Sequence, residues 1–130
     1  MEFLSVIIAA AAGFGGGAVW YMILGKPWMA AAGLEADENG RPKGASPMPF
    51  VVAGICMILV AGMMRHIFAS AGIEGPGAGL VAGIGIGAFF IAPWTAMNYA
   101  YAMRPRTLAL IEGGYAVLGC ALIGLVLGLF

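Results

Sequence analysis

The sequence has very little charge. Only 9% of its 130 residues are Asp, Glu, Lys or Arg, against about 25% in a typical soluble domain. Six basic residues balance six acidic ones, so the formal net charge is zero and nothing favours nucleic acid as a partner. Hydrophobic residues make up 62% of the chain and the mean hydropathy is +1.00. These few charges cannot cover the surface of a soluble domain, so the composition indicates a membrane protein.

Motifs for catalysis and metal binding are also scarce. The single histidine is His66, and the two cysteines, Cys56 and Cys120, lie in separate apolar runs without metal-site spacing. The chain contains no GxSxG, HExxH or P-loop motif. We therefore expect a non-enzymatic protein with no catalytic residue, metal or cofactor, for which a bound lipid is the compatible ligand.

Long apolar runs are what the sequence does contain. Each is long enough to cross a hydrocarbon core of about 30 Å, which takes about 20 helical residues. Within lipid, backbone groups must be hydrogen-bonded inside their own segment, so the runs are expected to be helices. The first run lacks a basic flank, so we expect it to be retained. The sequence thus predicts one all-α polytopic domain with four transmembrane helices, at residues 3–24, 48–71, 78–103 and 107–130.

The segment after the first run predicts a short interfacial helix. Trp20 and Tyr21 are typical of an interfacial aromatic belt, and Lys26 marks the water side. Pro27 suits the first position of a new helix. We therefore predict that the first loop carries a separate short helix over Trp28–Glu38, lying on the membrane surface.

Basic residues are distributed unevenly between the two sides of the predicted bundle. Five lie in the first and third loops, whereas Arg65 is alone on the other side. The positive-inside rule then predicts loops 25–47 and 104–106 in the cytoplasm and both termini outside. The predicted interface anchors are Lys26, Trp28, Arg65, Arg104 and Arg106.

Glycine is abundant and recurs at helical spacing within the apolar runs. Small residues four apart allow transmembrane helices to approach closely, because lipid gives no hydrophobic drive for their association. One interpretation is packing inside a tight four-helix bundle. The other is a contact with a second copy or a partner helix, for which the third helix is the best candidate. The predicted packing residues are Gly13, Gly17, Gly79, Gly83, Gly87, Gly124 and Gly128.

Two polar residues fall at matching depths inside the last hairpin. Asn98 and Glu112 are each seven positions from Pro105, so a tight turn there would bring them together in a hydrogen bond. Thr95 and Tyr115 are each ten positions from the same proline and predict a second pair. Ionisable groups within a membrane segment are energetically costly, so their presence suggests a functional role.

A weak internal repeat extends this polar group. Trp20–Tyr21 stands six residues before Lys26, as Asn98–Tyr99 stands six residues before Arg104. We therefore predict an intramembrane polar cluster that fixes helix register, binds a ligand or proton, or contacts a partner. Its predicted members are Asn98, Glu112, Thr95, Tyr99, Tyr115, Trp20 and Tyr21.

These motifs resemble a bacterial membrane family catalogued as domain of unknown function 1761. That family is similar in length and has a W-Y pair near the end of the first helix, followed by G-K-x-W-M. It also has N-Y before the third loop and D/E-x-G-Y in the fourth helix. The resemblance implies four helices in a bacterial inner membrane and assigns no activity. The matching segments are Trp20–Tyr21, Gly25–Met29, Asn98–Tyr99 and Glu112–Tyr115.

Three classes of function remain open at this point. The glycine spacing favours a structural or accessory protein that associates with itself or with a larger membrane complex. Glu112 and Asn98 would suit an oligomeric transporter or channel. A kink at Pro93 beside Trp94 would leave space for a lipid or a pigment, with His66 as a weakly supported ligand. Membrane lipids are expected partners in all three cases.

Overall fold

The computed structural model describes residues 2–44 and 46–130, and leaves out Ala45 of the predicted cytoplasmic loop. Four apolar helical spans are long enough to cross a membrane, which confirms the all-α, four-span prediction. The third span is one continuous helical segment, which consists of α3, a five-residue π-helical turn and α4. The helices are α1 (Glu2–Ala32), α2 (Met48–Ala71), α3 (Pro76–Ile86), α4 (Ala92–Tyr101) and α5 (Arg106–Leu129), with the π turn at Gly87–Ile91.

The first helix differs most from the prediction. It passes through Pro27 without a break and ends at Ala32, so the separate interfacial helix predicted over Trp28–Glu38 is wrong. Gly33, at φ +76°, ends the helix. The amide of Leu34 then reaches back to the Met29 carbonyl at 2.9 Å, which closes a Schellman motif.

The loop after α1 is held by polar contacts instead of helix. One carboxylate oxygen of Asp37 accepts hydrogen bonds from the backbone amides of Asn39 and Arg41, at 2.8 and 2.9 Å. The side chains of Lys43 and Glu35 form an exposed ion pair at 3.2 Å. The loop is therefore an ordered polar turn next to the end of α1.

Helix α5 is the central element. It packs against α1 on one side and against α3 on the other, while α2 packs mainly on α1. The apolar core lies in the half of the bundle where α1 begins and α2 and α5 end. Its fully buried side chains include Ala9, Ala61, Met64 and Ile123.

Glycines form the contact between α3 and α5. A Cβ on Gly79 would collide with the carbonyl of Gly124, and a Cβ on Gly83 would collide with the carbonyl of Cys120. A Cβ on Gly87 would likewise collide with the carbonyl of Ala116, and one on Gly128 with the carbonyl of Gly75. The stripe on the third span is therefore used inside the chain, and our expectation that it contacts a second copy is not supported.

Glycines also let α1 approach α5. A Cβ on Gly13 would lie 3.0 Å from the Ile123 side chain, and one on Gly17 would lie 2.6 Å from the Tyr115 hydroxyl. These two positions make room for side chains of α5, whereas the α3 glycines admit its backbone.

The other half of the bundle is packed more loosely. We call it the open half; it contains the end of α1, the start of α2, all of α4 and the start of α5. No residue of α4 is buried, and the buried residues of α2 begin only at Ala61. Phe50 touches Phe14 of α1 with ring centroids 6.5 Å apart, yet it is 67% exposed. In this half, α2 and α4 direct large apolar side chains outward.

Substitution of Gly83 tests the α3–α5 contact. We expect Gly83→Ala to lower the free energy of unfolding by about 1–3 kcal/mol, because the new methyl meets a backbone carbonyl that cannot rotate away. Gly85→Ala is the matched control, since nothing lies within 4 Å of its Cβ position. Equilibrium unfolding in mixed mild detergent and SDS measures both, and equal stability of the two variants would contradict the packing described here.

Candidate functional site

Glu112 is the one acidic residue within the fourth span. It lies six residues after Arg106, about 9 Å along α5 at a rise of about 1.5 Å per residue. Its carboxylate accepts a hydrogen bond on each oxygen. The Tyr21 hydroxyl donates to Oε2 at 2.9 Å, and the Trp28 Nε1 donates to Oε1 at 2.7 Å. Both donors are uncharged, so the carboxylate is held without a cation.

The two donors come from the same face of α1. Tyr21 and Trp28 are seven residues apart, which is close to two helical turns, so they lie above one another. Their rings meet edge to face with centroids 5.6 Å apart. This arrangement depends on the passage of α1 through Pro27, because a new helix starting there would move Trp28 away from Tyr21. The hydrogen bond from Trp28 to Glu112 thus requires that α1 continue through Pro27.

Two further aromatic residues surround this pair. The Trp20 indole donates to the Ile111 carbonyl at 3.0 Å and lies against Gly114, where a Cβ would be 2.6 Å from the ring. The Tyr115 hydroxyl donates to the Gly13 carbonyl at 2.8 Å.

Tyr115 also connects the site to its neighbours. Its hydroxyl lies 3.6 Å from the Met57 sulfur, and its ring meets Tyr21 edge to face at 5.5 Å. We name the group formed by Trp20, Tyr21, Trp28, Glu112 and Tyr115 the Glu112 cluster. It joins the first helix of the chain to the last.

The remaining predicted members of the polar cluster make no hydrogen bond to the Glu112 cluster. Asn98 is exposed, and its carboxamide has no hydrogen-bond partner in the part of the chain that the structure describes. The predicted bond between Asn98 and Glu112 is not formed, and Tyr115 bonds Gly13 rather than Thr95. Tyr99 and Thr95 are both half-buried, and Tyr99 lies near enough to Glu112 and Tyr21 to interact with them electrostatically.

The reason is the rotation of α5. The residue that α5 turns toward the third span is Gly113, whose Cβ would lie 3.3 Å from that of Ala92. Glu112 is one residue earlier, about 100° around the helix, and therefore faces α1. Equal depth in a hairpin fixes the height of two residues but not the direction in which they point.

The basic residues at the same end have different roles. The Arg104 guanidinium donates to the Ala32 carbonyl at 2.7 Å and so caps the C-terminus of α1. Lys26 and Arg106 are exposed, and Trp28 belongs to the Glu112 cluster. Arg65 is half-buried at the opposite end of the bundle, and His66 is exposed.

Neither the role of Trp28 nor the Arg104 cap was predicted from the sequence. The seven-residue spacing from Tyr21 to Trp28 was the available signal for the first. The described residues contain no group of three or more His, Cys, Asp or Glu side chains that would suit a metal.

The cluster accommodates Glu112 in either charge state. Trp28 can only donate, so Oε1 must remain an acceptor. A tyrosine hydroxyl can donate or accept, so a proton on Oε2 would simply reverse the bond with Tyr21. The site can therefore fix the helices permanently and could also take up a proton at one defined oxygen.

Four apolar helices, the first and last of which are joined by a polar cluster, define the chain as a multi-pass, membrane-compatible helical protein. The family model described as protein of unknown function (DUF1761) matches residues 4–128, and the chain belongs to that family. This confirms the resemblance seen in the sequence motifs. No curated protein and no solved structure matches the chain.

Replacement of Trp28 tests the Glu112 cluster. We expect Trp28→Phe to lower the free energy of unfolding by about 1–2 kcal/mol, because it leaves Oε1 without a donor. Trp94→Phe is the control, since Trp94 is exposed, and it should change stability by less than about 0.5 kcal/mol.

A double-mutant cycle separates the hydrogen bond from ring packing. In a Glu112→Leu background, Trp28→Phe should lose most of its effect, because the acceptor has gone. An equal loss in both backgrounds would show that Trp28 stabilises the fold only through its ring contacts.

Proposed function

We propose that the protein is a non-catalytic structural or accessory membrane protein, which associates with copies of itself or with a larger membrane complex. One observation carries the proposal: in the open half, α4 buries no residue and α2 buries none before Ala61. In this half α1 packs against α5, whereas the outer faces of α2 and α4 are uncovered.

The nature of those faces supports association. They are rich in large side chains, such as Ile55 and Leu59 on α2 and Phe89, Phe90 and Trp94 in the third span. Lipid covers such side chains without specificity, whereas a packed helix also gives van der Waals contacts of fixed geometry. The rigid α1–α5 pair then serves as a frame that presents α2 and α4.

A transporter or channel is the second candidate, and Glu112 is the observation in its favour. The carboxylate lies within a membrane span and is held by neutral donors, one of which can reverse its bond. A proton-coupled path built by several copies would use this carboxylate.

A lipid-binding role has a narrower basis. Phe89, Pro93, Trp94 and Met97 line an open apolar groove on the outer surface of the third span. The π turn that precedes Pro93 relieves the clash of the proline ring with the preceding turn and shapes this groove. Lipid in the groove is compatible with either of the preceding functions, and we propose no other cofactor.

The native mass of the protein tests the first proposal. We expect protein extracted from its own membranes in mild detergent to run as more than one copy, or with defined partner chains, because the open half is covered in the assembly. Native mass spectrometry with identification of the co-purifying chains measures this. A monomer that carries only lipid would contradict the proposal.

Glu112→Gln distinguishes the two candidates. The assembly proposal requires the variant to keep the native mass, since the outer faces are unchanged. Loss of a proton-coupled flux in liposomes with the assembly intact would instead favour transport.

We further propose that the loops of the open half face the cytoplasm of a bacterial inner membrane and that both termini lie outside. The support is the concentration of Lys26, Arg41, Lys43, Arg104 and Arg106 at that end. All five of these residues are at one end of the bundle, in the last two turns of α1, in the two loops or at the start of α5.

Two matched cysteine variants test this orientation. Glu38→Cys and Glu74→Cys each place an exposed thiol in a loop, one at each end of the bundle. We expect a membrane-impermeant maleimide to label Glu74→Cys in intact cells and to label Glu38→Cys only after lysis. The reverse pattern would overturn the orientation, and labelling of both would show a dual topology.

A further inference from the structure

We infer that α4 is the contact surface between two copies of this chain, with their Asn98 carboxamides paired across a two-fold axis. The inference rests on the proposed function and narrows it to self-association through one helix. It concerns a surface that the Glu112 cluster does not use.

Asn98 is an unusual residue for its position. It lies three residues before the end of α4, one turn inside the third span, and is exposed. Its backbone carbonyl accepts the helical bond from Ala102, but its carboxamide bonds no described residue. Acyl chains offer neither a donor nor an acceptor, so lipid tails leave the carboxamide unpaired.

A second copy of the same helix satisfies this group fully. A carboxamide carries both a donor and an acceptor, so two of them related by a two-fold axis form two reciprocal hydrogen bonds. Hydrogen bonds made by asparagine side chains across a helix interface are a known means by which transmembrane helices associate. Trp94 and Tyr101 share the Asn98 face at i−4 and i+3, and both are exposed, so their rings would flank the pair.

The other outer surfaces lack such a group. The glycine stripe of α3 is occupied by α5, and the exposed face of α2 from Met48 to Met63 carries only apolar side chains. The chain contains one other asparagine, Asn39, which lies in the first loop, and no glutamine. In the described chain, α4 is therefore the one helix that presents a carboxamide on its outer face.

Disulfide crosslinking in native membranes tests the inference. In a Cys56→Ala background, which removes the exposed native thiol, Ala102→Cys places a thiol about 40° from Asn98 on the helix. Ala100→Cys is the matched control, because it is also exposed but lies on the opposite side of α4. We expect oxidation to give a crosslinked dimer with Ala102→Cys and little with Ala100→Cys.

Substitution of Asn98 provides the second measurement. Asn98→Leu should lower the dimer affinity on the order of 3- to 10-fold, the effect expected for one or two interhelical hydrogen bonds. Asn98→Gln, which keeps the carboxamide, should restore part of the loss. The fold should be unaffected, because Asn98 makes no side-chain bond within the described chain.

The outcomes separate this inference from the proposed function. Equal crosslinking at positions 100 and 102, or an unchanged affinity in Asn98→Leu, would overturn the α4 contact. If the native assembly persisted in those cases, the proposed function would still stand. A monomeric wild-type protein whose bound lipid depends on Asn98 would overturn both, with lipid as the occupant of this face.

Discussion

The two hydrogen bonds that Glu112 accepts from α1 determine how the first and last helices lie against each other. A carboxylate at this depth has to find donors within the protein, since the hydrocarbon around it supplies none. Tyr21 and Trp28 are those donors, at 2.9 and 2.7 Å. Because they are two turns apart, both bonds form only at one rotation and one height of α1. Helices that otherwise meet through smooth apolar surfaces gain a unique register in this way.

The seam between α3 and α5, meaning the line of contact along the two helices, is stabilised in a different way. There are no side chains between the helices at Gly79 and Gly83, so the backbones themselves touch. Contact of this kind draws its stability from dispersion over many atoms rather than from any single bond. The two seams also lie at different levels of the bundle. The polar one belongs to the open half, and the glycine seam continues toward the apolar core.

Much of the fold could be predicted from the sequence, and the physical reason is the bilayer. Length and hydropathy alone locate the spans, and α2 begins and ends at the predicted residues. The end of α1 could not be predicted, because proline at position 27 favours a helix start locally while the contact of Trp28 with α5 favours continuation. Long-range contact outweighs local preference here.

The candidate site was predicted in part. The sequence identified Glu112, Tyr21, Trp20 and Tyr115 as a polar group at one depth, which periodicity and position in the span can show. The predicted partner of Glu112 was Asn98, because the two residues lie in adjacent helices of one hairpin. Its actual partners on α1 are far away in the sequence. Pairing depends on helix rotation, which is set by Gly113 against Ala92 and is not visible in the spacing of residues.

The Glu112 cluster also has a consequence for the order in which the protein is made. Its hydrogen bonds join residues 84 to 102 positions apart in the chain. At about 5–20 residues per second, α1 is in the membrane for about 5–20 s before its partner has been synthesised. During that time the indole of Trp28 and the hydroxyl of Tyr21 must be satisfied by headgroups, by water or by other proteins. Helix α5, which is translated after α1, therefore completes the hydrogen bonding of α1.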